Sequence, residues 1–111
     1  MRKGKVYYKE HFAGIIMETD DGEFVFRYDE TFVIEHPKEF ITFTMPVTNK
    51  PYTDKRLFPF FDGLIPEGWL LDIASKNWKI NQNDRMGLLL ACCKNCIGAV
   101  SVEQIQEENE P

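Results

Sequence analysis

Asp20-Asp21-Gly22-Glu23-Phe24-Val25-Phe26-Arg27-Tyr28 is the stretch from which the fold is most readily read. Gly22 tolerates the positive φ that a tight turn demands, and Asp20 and Asp21 are turn-forming residues directly before it. Phe24, Phe26 and Tyr28 then alternate with Val25 and Arg27, which places the three aromatics on one side of a strand. The pattern predicts a hairpin whose aromatic face looks into a core.

Upstream, Tyr7, Tyr8, Ile15 and Ile16 are residue types that favour sheets, so the segment from Lys5 to Tyr28 reads as strands broken by turns. Downstream, Asp29 to Glu39 is mixed and polar and contains Pro37, which predicts a long connection. Ile41, Phe43 and Met45 alternate with Thr42 and Thr44, predicting a further strand over Phe40–Met45 that Pro46 ends. Thr48 to Lys55, with Pro51 and several turn formers, reads as an exposed loop.

The character changes at Leu57. Pro66 suits the first turn of a helix, where its missing N–H is harmless, and a helix to about Asn77 puts Leu70, Ile73, Ala74 and Asn77 on one stripe. Trp78, just after it, is expected to plug the core with Ile80. Asn83 or Asp84 can cap a second helix, in which Met86, Leu89, Leu90 and Cys93 recur at helical spacing and should pack inward. Gly98-Ala99-Val100-Ser101-Val102 reads as a closing strand. The expected fold class is α+β: an antiparallel sheet of about five strands with two helices packed on one face. One domain over 1–103 is expected, with an acidic tail over 104–111. The turns at Asp20–Gly22, Gly63 and Gly98 are read as structural.

A chain of 111 residues with 43% hydrophobic and 14% aromatic content has the material for one core. Its formal net charge of -5 and scattered Lys and Arg argue against direct nucleic-acid binding, which needs cations gathered on one face. The basic start Met1-Arg2-Lys3-Gly4-Lys5 is not followed by the apolar run of a signal peptide, and no stretch reaches membrane-spanning length. A cytoplasmic protein without membrane contact is expected.

Cys92, Cys93 and Cys96 are three in number and too local to staple a secreted fold, which fits a reducing compartment. Cys93-x-x-Cys96 is half a zinc site, but four ligands are needed and His11 and His36 lack metal-like spacing. Cys93 also belongs to an apolar helix stripe, where a thiol is inert, so a small cysteine-dependent enzyme is the weaker alternative. Asp62 and Glu67 could be paired carboxylates for acid–base work. The helix dipole explains Glu67, and capping or turn formation explains Asp62. Phe61-Asp62-Gly63 superficially matches the metal-binding triplet of protein kinases, but there the order is Asp-Phe-Gly. Neither a catalytic residue nor a cofactor or metal site is assigned.

Trp69 departs most from a purely structural role. At about 100° per residue it turns away from Leu70, Ile73 and Ala74 and lines up with Asp72 and Lys76. Two placements fit: flat on a sheet edge or over the preceding loop, or protruding as an anchor, since Trp is enriched at binding hot spots.

Three motifs then become specific. Phe60-Phe61-Asp62-Gly63-Leu64-Ile65-Pro66-Glu67-Gly68, Leu88-Leu89-Leu90-Ala91 and Cys96-Ile97-Gly98-Ala99-Val100 together resemble the N-terminal subdomain family of HipA, the serine/threonine kinase toxin of bacterial toxin–antitoxin systems. Phe26-Arg27-Tyr28-Asp29 and the Thr42-to-Pro46 segment also look like that family. In HipA the subdomain continues into a kinase core, whereas this sequence stops at Pro111, so it is similar to the free-standing HipS-like proteins of HipBST-type systems. The resemblance implies an antitoxin without catalysis of its own that docks on and inhibits a separate HipA/HipT-type kinase. An activating or scaffolding lobe of a split kinase is the alternative, and a HipB-like DNA-binding protein could join through the complex. On this view the helix from Pro66 faces the kinase and Trp69 enters or covers its nucleotide site. Phe61, Asp62 and Glu67 shape the loop beneath, with Gly68 and Asp72 beside them.

Overall fold

The structure is a computed structural model that describes residues 2–65, 68–93 and 99–105, with the backbone alone at 68–70 and 74. Five strands, β1 (Arg2–Tyr8), β2 (His11–Glu18), β3 (Phe24–Tyr28), β4 (Tyr52–Asp54) and β5 (Val100–Gln104), form one sheet in the order β4-β3-β2-β1-β5. Every neighbouring pair is antiparallel, as expected. Among the described residues four helices accompany them: α1 (Glu30–Glu35), α2 (Pro59–Asp62), α3 (Gly68–Trp78) and α4 (Arg85–Cys92).

The β2–β3 hairpin closes as its sequence predicts. The Gly22 N–H donates to the Thr19 carbonyl at 3.0 Å, and Gly22 takes φ +84°, where a side chain would be strained. The β1–β2 hairpin turns on Lys9 and Glu10 instead, both at positive φ (50° and 73°) without a glycine. Between Val6 and Tyr7 the register slips, because β1 pairs Val6 with Gly14 and Tyr7 with Phe12, leaving Ala13 as a bulge. Gly14 is required there: a Cβ would sit 2.3 Å from the Arg27 carbonyl oxygen.

Alternation sends Val6, Ile16, Phe26, Tyr28, Val100 and Val102 to one sheet face, and all are buried. The helices cover that face. Phe32 of α1 stacks on Tyr28 at 5.8 Å, Phe61 of α2 meets Phe26 at 5.5 Å, and Leu90 of α4 lies over Gly4. α4 begins where Asp84 caps it, its carboxylate accepting from the Gly87 N–H at 3.2 Å, and Met86, Leu89, Leu90 and Cys93 are buried as predicted. Arg2 ties this cap to the sheet by donating to both Asp84 oxygens (3.0 and 2.8 Å) and to Glu18 (2.7 Å). Arg2 holds the Asp84 carboxyl below its usual range, and the guanidinium itself is held above its ordinary value, chiefly by Asp84.

Several expectations are corrected. The connection after Tyr28 contains α1, capped by the Asp29 carboxylate, which accepts from the N–H groups of Thr31 (3.1 Å) and Phe32 (3.4 Å). Phe40–Met45 forms bends and turns rather than a strand. Ile41 and Met45 are buried while Phe43 is exposed, because the Tyr28 hydroxyl, donating to the Met45 carbonyl and accepting from the Ile41 N–H at 3.1 Å, gathers the segment into a knot. Burial pushes the Tyr28 phenol up to about 12. The fourth strand lies in the expected loop instead, where Tyr52–Asp54 pairs with β3.

Among the described side chains of α3 the inward ones are Leu71, half-buried against the core, and Ser75, 7% exposed, while Ile73 is 44% exposed and Asn77 is exposed. The expected stripe is therefore out of phase by about one residue. Ser75 can be buried because its hydroxyl donates to the Asp72 carbonyl at 3.1 Å. Trp78 does not plug the core but stands 57% exposed at the helix end. The closing strand runs on to Gln104, and the Ile105 N–H donates to the Lys3 carbonyl at 3.0 Å. Gly98 lies outside the described residues.

Candidate functional site

The candidate surface is built where α2 hands the chain to α3. Pro59 opens α2 with φ already suited to a helix, and the N–H groups of Asp62 and Gly63 return to the carbonyls of Phe58 and Pro59, both at 2.9 Å. The turn continues through Leu64 and Ile65, the latter 2% exposed. Phe61 is fully buried among Phe26, Phe58 and Phe60. It can shape the loop from below, but in this arrangement no partner atom reaches it.

Asp62 accepts from Arg85 Nε at 2.6 Å. Arg85 also reaches the Gln82 carbonyl at 3.4 Å, and the Gln82 amide donates to Asp72 Oδ1 (3.2 Å) and Ser75 Oγ (3.4 Å). Asp72 closes the chain by pairing with Lys76 at 3.2 Å. Asp62 and Asp72, ten residues apart in the sequence, are thus joined through Arg85 and Gln82 into one polar strap that fixes α3 against the start of α4. Sequence reasoning missed both linkers, since nothing in a lone Arg or Gln announces its partner. It also missed Ile73, which the wrong helix phase had assigned to the core.

Gly68 and Trp69 open α3, and the Trp69 side chain, like all of Glu67, lies outside the described residues. On a helix, positions 72, 73 and 76 fall within about 60° of position 69, so Ile73 shares that side of the helix instead of facing away from it as expected. Asp72, Ile73 and Lys76 are all exposed. That side of α3 is a solvent face of mixed apolar and charged character.

This geometry offers little to catalysis. Asp62 is engaged by Arg85, and Glu67, its expected partner carboxylate, lies outside the described residues. Cys93 is fully buried, with its Sγ 3.4 Å from the Leu64 carbonyl oxygen. His11 and His36 do meet, with ring centroids 4.7 Å apart, and His36 Nδ1 lies 2.9 Å from Glu39 Oε2. Among the described residues no group of three or more His, Cys, Asp or Glu is placed to hold a metal ion. No helix among them is long and apolar enough to cross a membrane.

The family model of the HipA N-terminal domain matches residues 4–103. The chain belongs to the HipA N-terminal domain family. An uncharacterized protein of Haemophilus influenzae is 33% identical to it over 110 residues, covering 99% of this chain and 96% of that protein. A solved structure described as the N-terminal domain of HipA toxin superposes with a TM-score of 0.73 at 27% identity, covering 97% of this chain and 96% of that one. The match takes in the five-stranded antiparallel sheet and its helices, so the HipA N-terminal domain fold is the fold described above.

Proposed function

We propose that this chain is a non-catalytic docking lobe that binds a separate HipA/HipT-type serine/threonine kinase in the cytoplasm and inhibits it, as an antitoxin does its toxin. The observation that carries this reading is the exposed side of α3 in a HipA N-terminal domain, with Asp72, Ile73 and Lys76 open to solvent around position 69. The strap from Asp62 through Arg85 and Gln82 to Asp72 supports it, because a rigid presenting helix loses less freedom on binding. In this mechanism Trp69 enters or covers the nucleotide site of the kinase, flanked by Gly68 and Asp72, while Glu67 and Asp62 shape the loop behind and Phe61 supports it from the core. A HipB-like DNA-binding protein would join through the complex. Burial of Cys93 speaks against that thiol as the nucleophile of a cysteine-dependent enzyme.

The test is Trp69→Ala. A buried Trp anchor is worth about 2 kcal/mol or more, or roughly thirtyfold in affinity. The variant should melt like the parent and lose inhibition of a HipA-family kinase core. Undiminished inhibition refutes the anchor. Acceleration of the kinase by the parent chain would replace the inhibitor by an activating or scaffolding lobe.

A further inference from the structure

Among the described residues all four helices lie on one face of the sheet, and the other face carries none. Half-covered antiparallel sheets usually turn polar residues outward. Here the centre of the outer face is apolar: Ile15, Met17 and Val25, each only partly exposed. The registers surround it with cations. Lys5 and Arg27 flank Ile15 in one cross-strand row, both exposed, and Lys3 lies beside Met17 and Val25 in the next. Against these three cations the strands place one acid on this face, Glu103, opposite Lys5. Asp29 and Glu30 stand at the rim, but the Asp29 carboxylate is engaged in capping α1. A chain with net charge -5 has therefore gathered positive charge around an apolar stripe. An open groove of about 560 Å3 runs over it, bounded by Lys3, Ile15, Met17 and Arg27, with Ile105 on one side.

We propose that this outer face docks an acidic amphipathic helix of a partner protein. Its apolar side would cover Ile15, Met17 and Val25, and its carboxylates would pair with Lys3, Lys5 and Arg27. Charge complementarity selects the occupant, and size agrees. Five strands span about 19 Å at roughly 4.8 Å per step, and about 14 helical residues span about 21 Å. The face lies across the sheet from α3, so both surfaces can be occupied together, and the proposal stands independently of the kinase reading.

The experiment titrates the isotope-labelled full chain with a Leu/Glu amphipathic peptide of about 14 residues, while amide shifts are followed. The account predicts shifts at Lys5, Ile15, Met17 and Arg27 and none along α4. It also predicts weakening of about tenfold or more in Lys5→Glu/Arg27→Glu, and weakening between about 0.05 and about 0.5 M salt. Lys5→Gln/Arg27→Gln, which adds no new charge, should show a smaller loss of the same sign and serves if the reversal unfolds. Four results overturn the proposal. A Leu/Lys peptide or oligodeoxythymidine could bind as well, or the shifts could fall on α3 and α4. The free chain could form a dimer that Lys5→Glu abolishes, giving the face to a second copy. Finally, Glu107→Gln/Glu108→Gln/Glu110→Gln could raise peptide affinity about tenfold, giving it to the chain's own acidic end.

Discussion

Replacing Tyr28 by Phe removes one oxygen and leaves the ring. That ring makes an edge contact with Phe26 at 4.9 Å and stacks on Phe32 at 5.8 Å, so the hydrophobic core keeps its shape. The hydroxyl, however, serves both the Ile41 N–H and the Met45 carbonyl, in residues 6% and 4% exposed. Each bond contributes about 1 kcal/mol net, and stranding a buried partner adds to the loss, so the variant should be less stable by about 2–3 kcal/mol. For a domain of this size that lowers the melting temperature by roughly 10 °C. Urea denaturation and calorimetry measure the loss, and amide exchange locates it: Ile41 should exchange about thirtyfold faster or more. The pH dependence has a definite sign. The folded phenol is raised from 10.0 to about 12, so its contribution is complete below 10 and is lost as pH climbs toward 12. The advantage of Tyr28 over Phe should narrow across that window. A loss below about 0.5 kcal/mol with unchanged Ile41 exchange would show that the knot is not held by this hydroxyl.

Asp84→Ala should remove the cap of α4 and the anchor of Arg2, at a cost of about 1–2 kcal/mol in urea melts, the ion pairs being partly exposed and worth little more. Because Arg2 depresses the folded pKa of Asp84 below 3.8, the gap between parent and variant should hold from neutral pH down to about 4. It should shrink as pH falls further, through the folded value. Lys9→Asn with Glu10→Gly should stabilise the chain by about 1 kcal/mol, since both positions hold positive φ in a two-residue hairpin turn, and an unchanged denaturation midpoint would argue against strain there.

The sheet was largely legible because strands announce themselves by alternation: Phe24, Phe26 and Tyr28 lie on the buried face as their spacing predicts, and the Gly22 turn closes as its residue type demands. α4 was legible for the same reason, with a cap and a four-residue apolar recurrence. What escaped was decided at long range. Ile41, Phe43 and Met45 alternate like a strand, but a hydroxyl from β3 folds them into turns. Tyr52–Asp54 has no strand pattern of its own and becomes one because the edge of β3 is open. α1 and α2, at six and four residues, are too short for a helical period to emerge. In α3, adjacent leucines at 70 and 71 permit two phases, and a buried Ser75 satisfied by its own helix disguised the true one. The polar strap was invisible for a related reason: Arg85 and Gln82 gain their meaning only when α3 and α4 meet.

The central claim is most directly tested by titrating the purified chain into a HipA-family kinase core that lacks this domain while following phosphoryl transfer. The account predicts that activity falls and levels off at about one equivalent, with the two proteins migrating as a single complex. Phosphoryl transfer that stays constant at every ratio, with no complex formed, would contradict it.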